Sequence, residues 1–278
     1  MSLLRFKALT FDVMGTLIDY ERGMLEYLRG AAPAAAVGDA EFLLAYREAR
    51  ASPLALFSPD DLERVWCELA HRFGLPLEAA AGFRASAALW PAFPDSVVAL
   101  ARLKKHYRLV AATNAQRWAM NFFEQTLAHP FDDSVTCDDT HFEKPDPRYF
   151  VWLKGLLAQE GVRQCETLHV GQSQFHDMRI AQALGWSTCW IERRAGTAQR
   201  DARAARPDWH FATLHELADA VDTEAAQMPE DTGHRWSAAT GCHAGAIAAA
   251  ASGNSRAGRA CAPSGMPGLR ARPAPAGR

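Results

Sequence analysis

Four short apolar runs, each closing on polar residues, recur along the chain: ALTFDVM (8–14), YRLVAAT (107–113), TLHVGQS (167–173) and TCWIERR (188–194). Their length and their β-branched or aromatic content suit strands. Between them, DSVVALARLKKH (95–106), DPRYFVWLKGLLAQEG (146–161) and HDMRIAQALG (176–185) carry apolar residues at helical spacing, the last stopping at a C-cap glycine. A strand covered on both faces is apolar throughout instead of alternating. Strands of that kind, interleaved with helices, predict an α/β fold built on a parallel sheet with helices on both sides. In such folds ligand chemistry sits at the strand ends.

Residues 20–93 break the alternation: EFLLAYREARASP and DDLERVWCELAHRFG are helix-like, and no run in this stretch resembles a strand. They read as an all-helical insertion, a lid over the tip of the first strand, with WPAFPD (90–95) as its return hinge. The α/β core is thereby assigned to residues 1–19 and 94–224, and the cap to 20–93. From 225 to 278 the chain is largely Ala, Gly, Pro, Ser and Arg, with room for one Ala-rich helix around 244–251. A tail of that composition cannot bury enough surface to offset its ordering entropy, so disorder is expected there.

The charge balance, 30 Lys and Arg against 32 Asp and Glu, supplies no basic footprint for nucleic acid. No run approaches the roughly 18 apolar residues of a membrane span, so no membrane partner is expected either. The N-terminus becomes strand-like too soon for a signal peptide. Cys67, Cys137, Cys165, Cys189, Cys242 and Cys261 show no Cys-x-x-Cys spacing and read as reduced thiols of a cytoplasmic protein.

Chemistry-bearing residues gather at the ends of the predicted strands. Asp12 closes the first run and is followed by Gly15 and Thr16; Thr113 and Asn114 close the second. Lys144 stands in FEKPDPRYF just before a helix, and HVGQSQFHD supplies Ser173 and Asp177. Taken singly, Thr113 is a turn residue, Lys144 a solvated charge and Asp177 a helix N-cap. A parallel sheet brings all of them to one edge, around one crevice. His169 and His176 lack the i, i+4 spacing of a helical metal pair, so no histidine metal site is expected.

In the order and spacing of these motifs the chain resembles the haloacid dehalogenase superfamily of hydrolases over about residues 7–215. The resemblance implies a doubly wound, Rossmann-like core with a helical cap inserted after the first strand. It implies Asp12 as a nucleophile that forms a covalent ester, which water then hydrolyses. Thr16 belongs to the same motif, Thr113 orients substrate or nucleophile, and Lys144 holds the carboxylates and offsets developing charge. Asp177 anchors Lys144 or directs the hydrolytic water, and Ser173 binds substrate.

Two positions narrow the chemistry that the resemblance implies. Phosphatase members carry a general acid two residues after the nucleophile, where this chain has Met14, and an acidic metal ligand after the fourth-motif glycine, where it has Gln172. A thioether has no proton to give, and a neutral amide is a poorer ligand than a carboxylate for a hard cation. Halide leaves carbon unprotonated and needs no metal. The 2-haloacid dehalogenase branch therefore fits best, with Arg47 (Arg50 next) and Asn114 cradling the halide or carboxylate. It departs from that branch at Met14, where an aromatic is common, and at Phe150, where a tyrosine is usual. Its fourth motif is one residue longer. The expected substrate is a small-molecule carboxylate, with no cofactor, and a homodimer is a family-level expectation. The alternatives are an Mg²⁺-dependent phosphatase-like hydrolase, its ion held by Asp12, the Met14 carbonyl and Asp177, and a non-catalytic binding protein.

Overall fold

The computed structural model describes residues 2–193 and 205–227. The first strand, β1 (Ala8–Phe11), is buried along its whole length, as a run of consecutive apolar residues requires. Four helices form the segment that follows: α1 (Tyr20–Ala31), α2 (Asp39–Arg50), α3 (Leu62–Phe73) and α4 (Ala80–Ala85). Asp19 caps α1 by accepting a hydrogen bond from the Arg22 amide, and α3 ends where Gly74 takes the left-handed conformation. Their apolar faces meet around Trp66, Phe83 and Phe42, with the Trp66 and Phe83 ring centroids 4.9 Å apart. The segment leaves and re-enters side by side: Ile18 bridges Ala92, and the Phe93 amide donates to the Leu17 carbonyl at 2.9 Å.

The chain then alternates through α5 (Ser96–Leu103), β2 (Arg108–Ala112), α6 (Arg117–Thr126), β3 (Asp133–Val135), α7 (Cys137–Thr140), α8 (Pro147–Gln159) and β4 (Thr167–Gly171). It continues through α9 (Arg179–Ala183), β5 (Ser187–Ile191), β6 (Trp209–Phe211) and α10 (Leu214–Gln227). The strands form one sheet in the order β3-β2-β1-β4-β5-β6, every pairing parallel. This is the doubly wound order, and its direction reverses between β1 and β4, which is where such folds open a crevice. The alternation of side chains along a strand divides the core. Leu9, Phe11, Leu168 and Val170 join the large cluster that includes the buried residues of α1 to α4. Ala8, Val110 and Ala112 face the other side, against Tyr149, Phe150 and Leu153 of α8.

All four predicted strands are present within a few residues of their expected positions. β3 and β6 are additions: three-residue edge strands, partly exposed, that write no apolar run into the sequence. α6 and α10 were not anticipated, and α10 reaches Gln227, just past the predicted start of the disordered tail. The rest of that tail, the suggested helix at 244–251 included, lies outside the described residues. The described cysteines, Cys67, Cys137, Cys165 and Cys189, are free thiols. Among the described residues no helix is long and apolar enough to cross a membrane.

Candidate active site

Asp12 is the residue that follows β1, and its amide extends the β1–β4 ladder by donating to the Val170 carbonyl at 2.9 Å. The chain must then turn sharply, and Gly15 does so at φ +89°, a conformation that side-chain-bearing residues rarely adopt. The turn returns Thr16 to Asp12. Its hydroxyl donates to Asp12 Oδ2 at 2.6 Å and accepts the Gln172 amide at 2.9 Å, tying the tips of β1 and β4 together.

Lys144 completes the centre. Its Nζ donates to Asp12 Oδ1 at 3.0 Å, to Asp177 Oδ1 at 2.6 Å and to the Ala112 carbonyl at 2.7 Å. Three donors meet three acceptors, so this buried ammonium is saturated. Its position is set from the backbone, because Asn114 brackets the Lys144 peptide. Asn114 Oδ1 accepts the Lys144 amide at 2.7 Å while Nδ2 donates to the Lys144 carbonyl at 2.8 Å. Just beyond, Asp146 and Pro147 start α8, with Asp146 accepting the Arg148 amide.

Asp177 lies in a π-helical turn, Gln174–Met178, whose N-cap is Ser173. That widened turn is a rare local form that often marks functional sites. Asp177 is packed against β4 so closely that a side chain at Gly171 would stand 2.8 Å from its Cγ. Its Oδ1 receives both Lys144 and His169 Nε2, the latter at 3.2 Å. Its Oδ2 is buried with no hydrogen-bond partner among the described residues.

His169 is the site residue that sequence reading weighed only as a metal ligand. It sits on β4 directly opposite Thr10 of β1 in register, and its Nδ1 lies 2.9 Å from the Thr10 hydroxyl. Burial holds the imidazole below its ordinary pKa of 6.5, with Asp177 pulling the other way. The hydrogen-bond network assigns the tautomer: Nδ1 accepts from Thr10 and Nε2–H donates to Asp177. A polar residue in the middle of an otherwise apolar strand was the signal available in the sequence.

The two carboxylates are driven apart electrostatically. Burial pushes Asp12 up to about 6, with Lys144 pulling it down and Asp177 adding to the rise. Asp177 suffers the same burial, but Lys144 and His169 outweigh it and hold Asp177 well below the usual carboxylate range. Burial also works against the Lys144 charge, and the two aspartates more than compensate, so Lys144 lies above 10.5. Neighbouring carboxylates with separated acidities are a common mark of catalytic centres.

The remaining predicted residues are placed as follows. Thr113 is buried and its hydroxyl accepts the Ala115 amide at 3.1 Å, within its own turn. Ser173 lines the crevice while accepting the His176 amide at 3.0 Å. Arg47 and Arg50 both border the same cavity of about 600 Å³, as do Met14, Asn114, Lys144 and Gln172. Arg47 donates to Glu21 at 2.9 Å and its side chain is 47% exposed. Arg50, at 19%, is anchored by Asp61 Oδ2 at 2.6 Å and the Leu56 carbonyl at 2.7 Å. Tyr149 and Phe150, at the place of the branch's tyrosine, are both buried. The Tyr149 hydroxyl donates to the Val135 carbonyl at 2.8 Å, and the Phe150 ring meets His169 edge-on at 5.2 Å.

Mg²⁺ takes near-octahedral oxygen ligands, and the set that would hold it here is Asp12, the Met14 carbonyl and Asp177. Lys144 already bridges the two available carboxylates, leaving Asp177 Oδ2 as the one carboxylate oxygen of the pair without a hydrogen bond.

A buried carboxylate–ammonium–carboxylate group at the switch point of a doubly wound sheet, below a helical insertion, is the frame of a capped α/β enzyme. The sequence profile of the haloacid dehalogenase-like hydrolases matches residues 6–185, and the chain belongs to that family. A search of the curated proteins finds no sequence match. Among solved structures, one L-2-haloacid dehalogenase superposes with a TM-score of 0.66 at 22% identity, covering 78% of this chain and 99% of its own. The L-2-haloacid dehalogenase from Xanthobacter autotrophicus gives 0.65 at 20%, covering 78% and 98%. The HAD-hydrolase YfnB from Bacillus subtilis, bound to magnesium, gives 0.65 at 18%, covering 78% and 99%. At such identities the likeness is one of fold, and it is as strong to the magnesium-bound protein as to the dehalogenases. Residues of the site have to discriminate between the chemistries.

Proposed function

We propose that this hydrolase cleaves the carbon–halogen bond of 2-haloacids to give 2-hydroxyacids, without a metal, through an ester on Asp12. The observation that carries the reading is Met14. It borders the cavity two residues beyond Asp12, at the position where the resemblance puts a phosphatase's general acid. A leaving group that departs as a stable anion suits such a wall; an alkoxide does not. Gln172 in place of an acidic ligand, and the saturated Lys144 between Asp12 and Asp177, support the same conclusion.

In the first step an Asp12 carboxylate oxygen attacks C2, the new C–O bond forms as the C–halogen bond breaks, and halide leaves with the electron pair. Lys144 and Thr16 keep the carboxylate aimed. In the second step water adds to the Asp12 ester carbonyl and the acyl–oxygen bond breaks. One proton of that water passes to the departing alkoxide, and the other is released as Asp12 regains its charge. The hydroxyacid leaves carrying an oxygen that belonged to Asp12. Asp177 Oδ2, a buried acceptor with its hydrogen-bonding capacity unused, directs that water; its low basicity suits orientation better than full deprotonation. Arg50, deeper and better anchored than Arg47, is the stronger contact for the substrate carboxylate. The unbridged cysteines accord with a cytoplasmic setting.

One observation favours a second reading. The same unused Asp177 Oδ2 is an atom that a cation would occupy in a magnesium-dependent hydrolase. A single turnover in H₂¹⁸O with enzyme in excess, with and without EDTA, separates the two. The dehalogenase reading expects ¹⁸O in Asp12, ¹⁶O in the hydroxyacid and no effect of chelator. Activity confined to phosphate esters with added Mg²⁺ would replace it with the second.

A further inference from the structure

The cavity above Asp12 is several times larger than a short haloacid. Its volume is about 600 Å³, whereas a three-carbon haloacid displaces roughly four or five waters, on the order of 130 Å³. The excess is not the sign of an open cap, because the loop between α2 and α3 is already seated on the core. The Gln116 amide donates to the Ser58 carbonyl at 2.8 Å, the Asp60 amide to Gln116 Oε1 at 2.9 Å, and Gln116 Nε2 to Asp60 Oδ2 at 2.8 Å. Trp118 adds a fourth tie, its indole N–H donating to Asp60 at 3.2 Å. Closing the cavity further means breaking these bonds. A short acid would therefore share the site with many waters, which weaken the field of Lys144 on Asp12.

The walls indicate what fills the space instead. Met14, Tyr20, Tyr46, Ala51, Ala55 and Phe175 all border the cavity, and Phe175 is 56% exposed, an aromatic face with little protein covering it. Together with Arg50 for a carboxylate, they form a chamber for an acid with a sizeable apolar substituent. We propose that the substrate is a 2-haloacid whose C2 bears an extended alkyl or aryl group, in place of the methyl group or hydrogen of the shortest members. The inference rests on the dehalogenase reading and specifies its substrate class.

Two measurements test it. The first compares kcat/KM for 2-chloropropionate and 2-chlorohexanoate, each normalised to its uncatalysed rate. One buried methylene is worth about a fourfold preference, so the three extra methylenes should favour the longer acid roughly fifty-fold. Ala55→Trp, which narrows the chamber, should collapse that ratio. The second measures binding of the inert acids propionate and hexanoate by calorimetry, independent of turnover, where hexanoate should bind tighter by a similar factor. Equal affinity for the two acids, or an equal or higher kcat/KM for the shorter haloacid, overturns the size inference and leaves the dehalogenase reading standing. Failure to turn over any haloacid, with hexanoate nevertheless bound tighter, sinks the dehalogenase reading and with it the assignment of a halogenated substrate.

Discussion

Acidification should silence Asp12 well before the fold is lost. A buried carboxylate pushed up to about 6 is only about one-tenth ionised at pH 5 and almost fully ionised at pH 8. A nucleophile acts as the anion, so kcat/KM should fall about tenfold between pH 8 and pH 5, with a limiting slope of one. Asp177, held low, stays ionised over this range, and Lys144, held above 10.5, keeps its charge to the alkaline end. The α-halogen keeps the substrate's own carboxyl ionised throughout. The assay is continuous halide release under kcat/KM conditions, which report the free enzyme, with circular dichroism at each pH to show that the fold persists. His169 beside Asp177, and His176 and Glu143 on the cavity wall, are the other groups near the site able to titrate in this window, so the profile should be repeated with His169→Gln, His176→Gln and Glu143→Gln, which cannot. A midpoint that stays near 6 belongs to Asp12. A profile flat down to pH 5 would show that Lys144 overcomes burial at Asp12, and would refute the electrostatic reasoning.

Asp12→Asn should be close to inactive yet more stable. A carboxyl whose folded pKa lies above its unfolded value of 3.8 costs stability as pH rises through about 6, with a ceiling of ~3 kcal/mol at about 1.4 kcal/mol per pH unit. The variant's melting temperature should therefore exceed the parent's at pH 8 and converge with it near pH 4; a lower melt at pH 8 contradicts the assignment. Arg47→Ala should weaken turnover with the melt nearly unchanged, because a half-exposed ion pair contributes little. Arg50→Ala should weaken turnover and also cost ~1–3 kcal/mol, since it removes a partner of the buried Asp61; urea titrations of the two variants compare these costs. His169→Leu removes the donor to Asp177 and strands the Thr10 hydroxyl. Ester hydrolysis should slow at least tenfold, with the Asp12 ester accumulating in mass spectra after one turnover and His169→Gln restoring much of the rate. No ester build-up would leave His169 a packing residue.

Part of this protein is decided locally, in the chain itself. Runs such as ALTF and TLHVG are largely apolar and buried at every position because both faces of a parallel strand are covered, and that property needs no knowledge of the partners. The same logic put Asp12, Thr113, Lys144 and Asp177 at one edge, and the absence of such runs between 20 and 93 marked a helical insertion. Other features were invisible for an equally physical reason. β3 and β6 are held by neighbours rather than by their own three residues. Asn114 and Ser173, read as substrate contacts, do border the cavity, and the fold also engages one in clamping the Lys144 peptide and the other in capping a π turn, which no local pattern announced. His169 gained its role only when register set it across from Thr10, 159 positions away, and beside Asp177. The acidity of Asp12 depends on an ammonium 132 residues along the chain and on the exclusion of water around both. Desolvation and hydrogen-bond direction belong to the packed assembly, so no local pattern in the sequence encodes them.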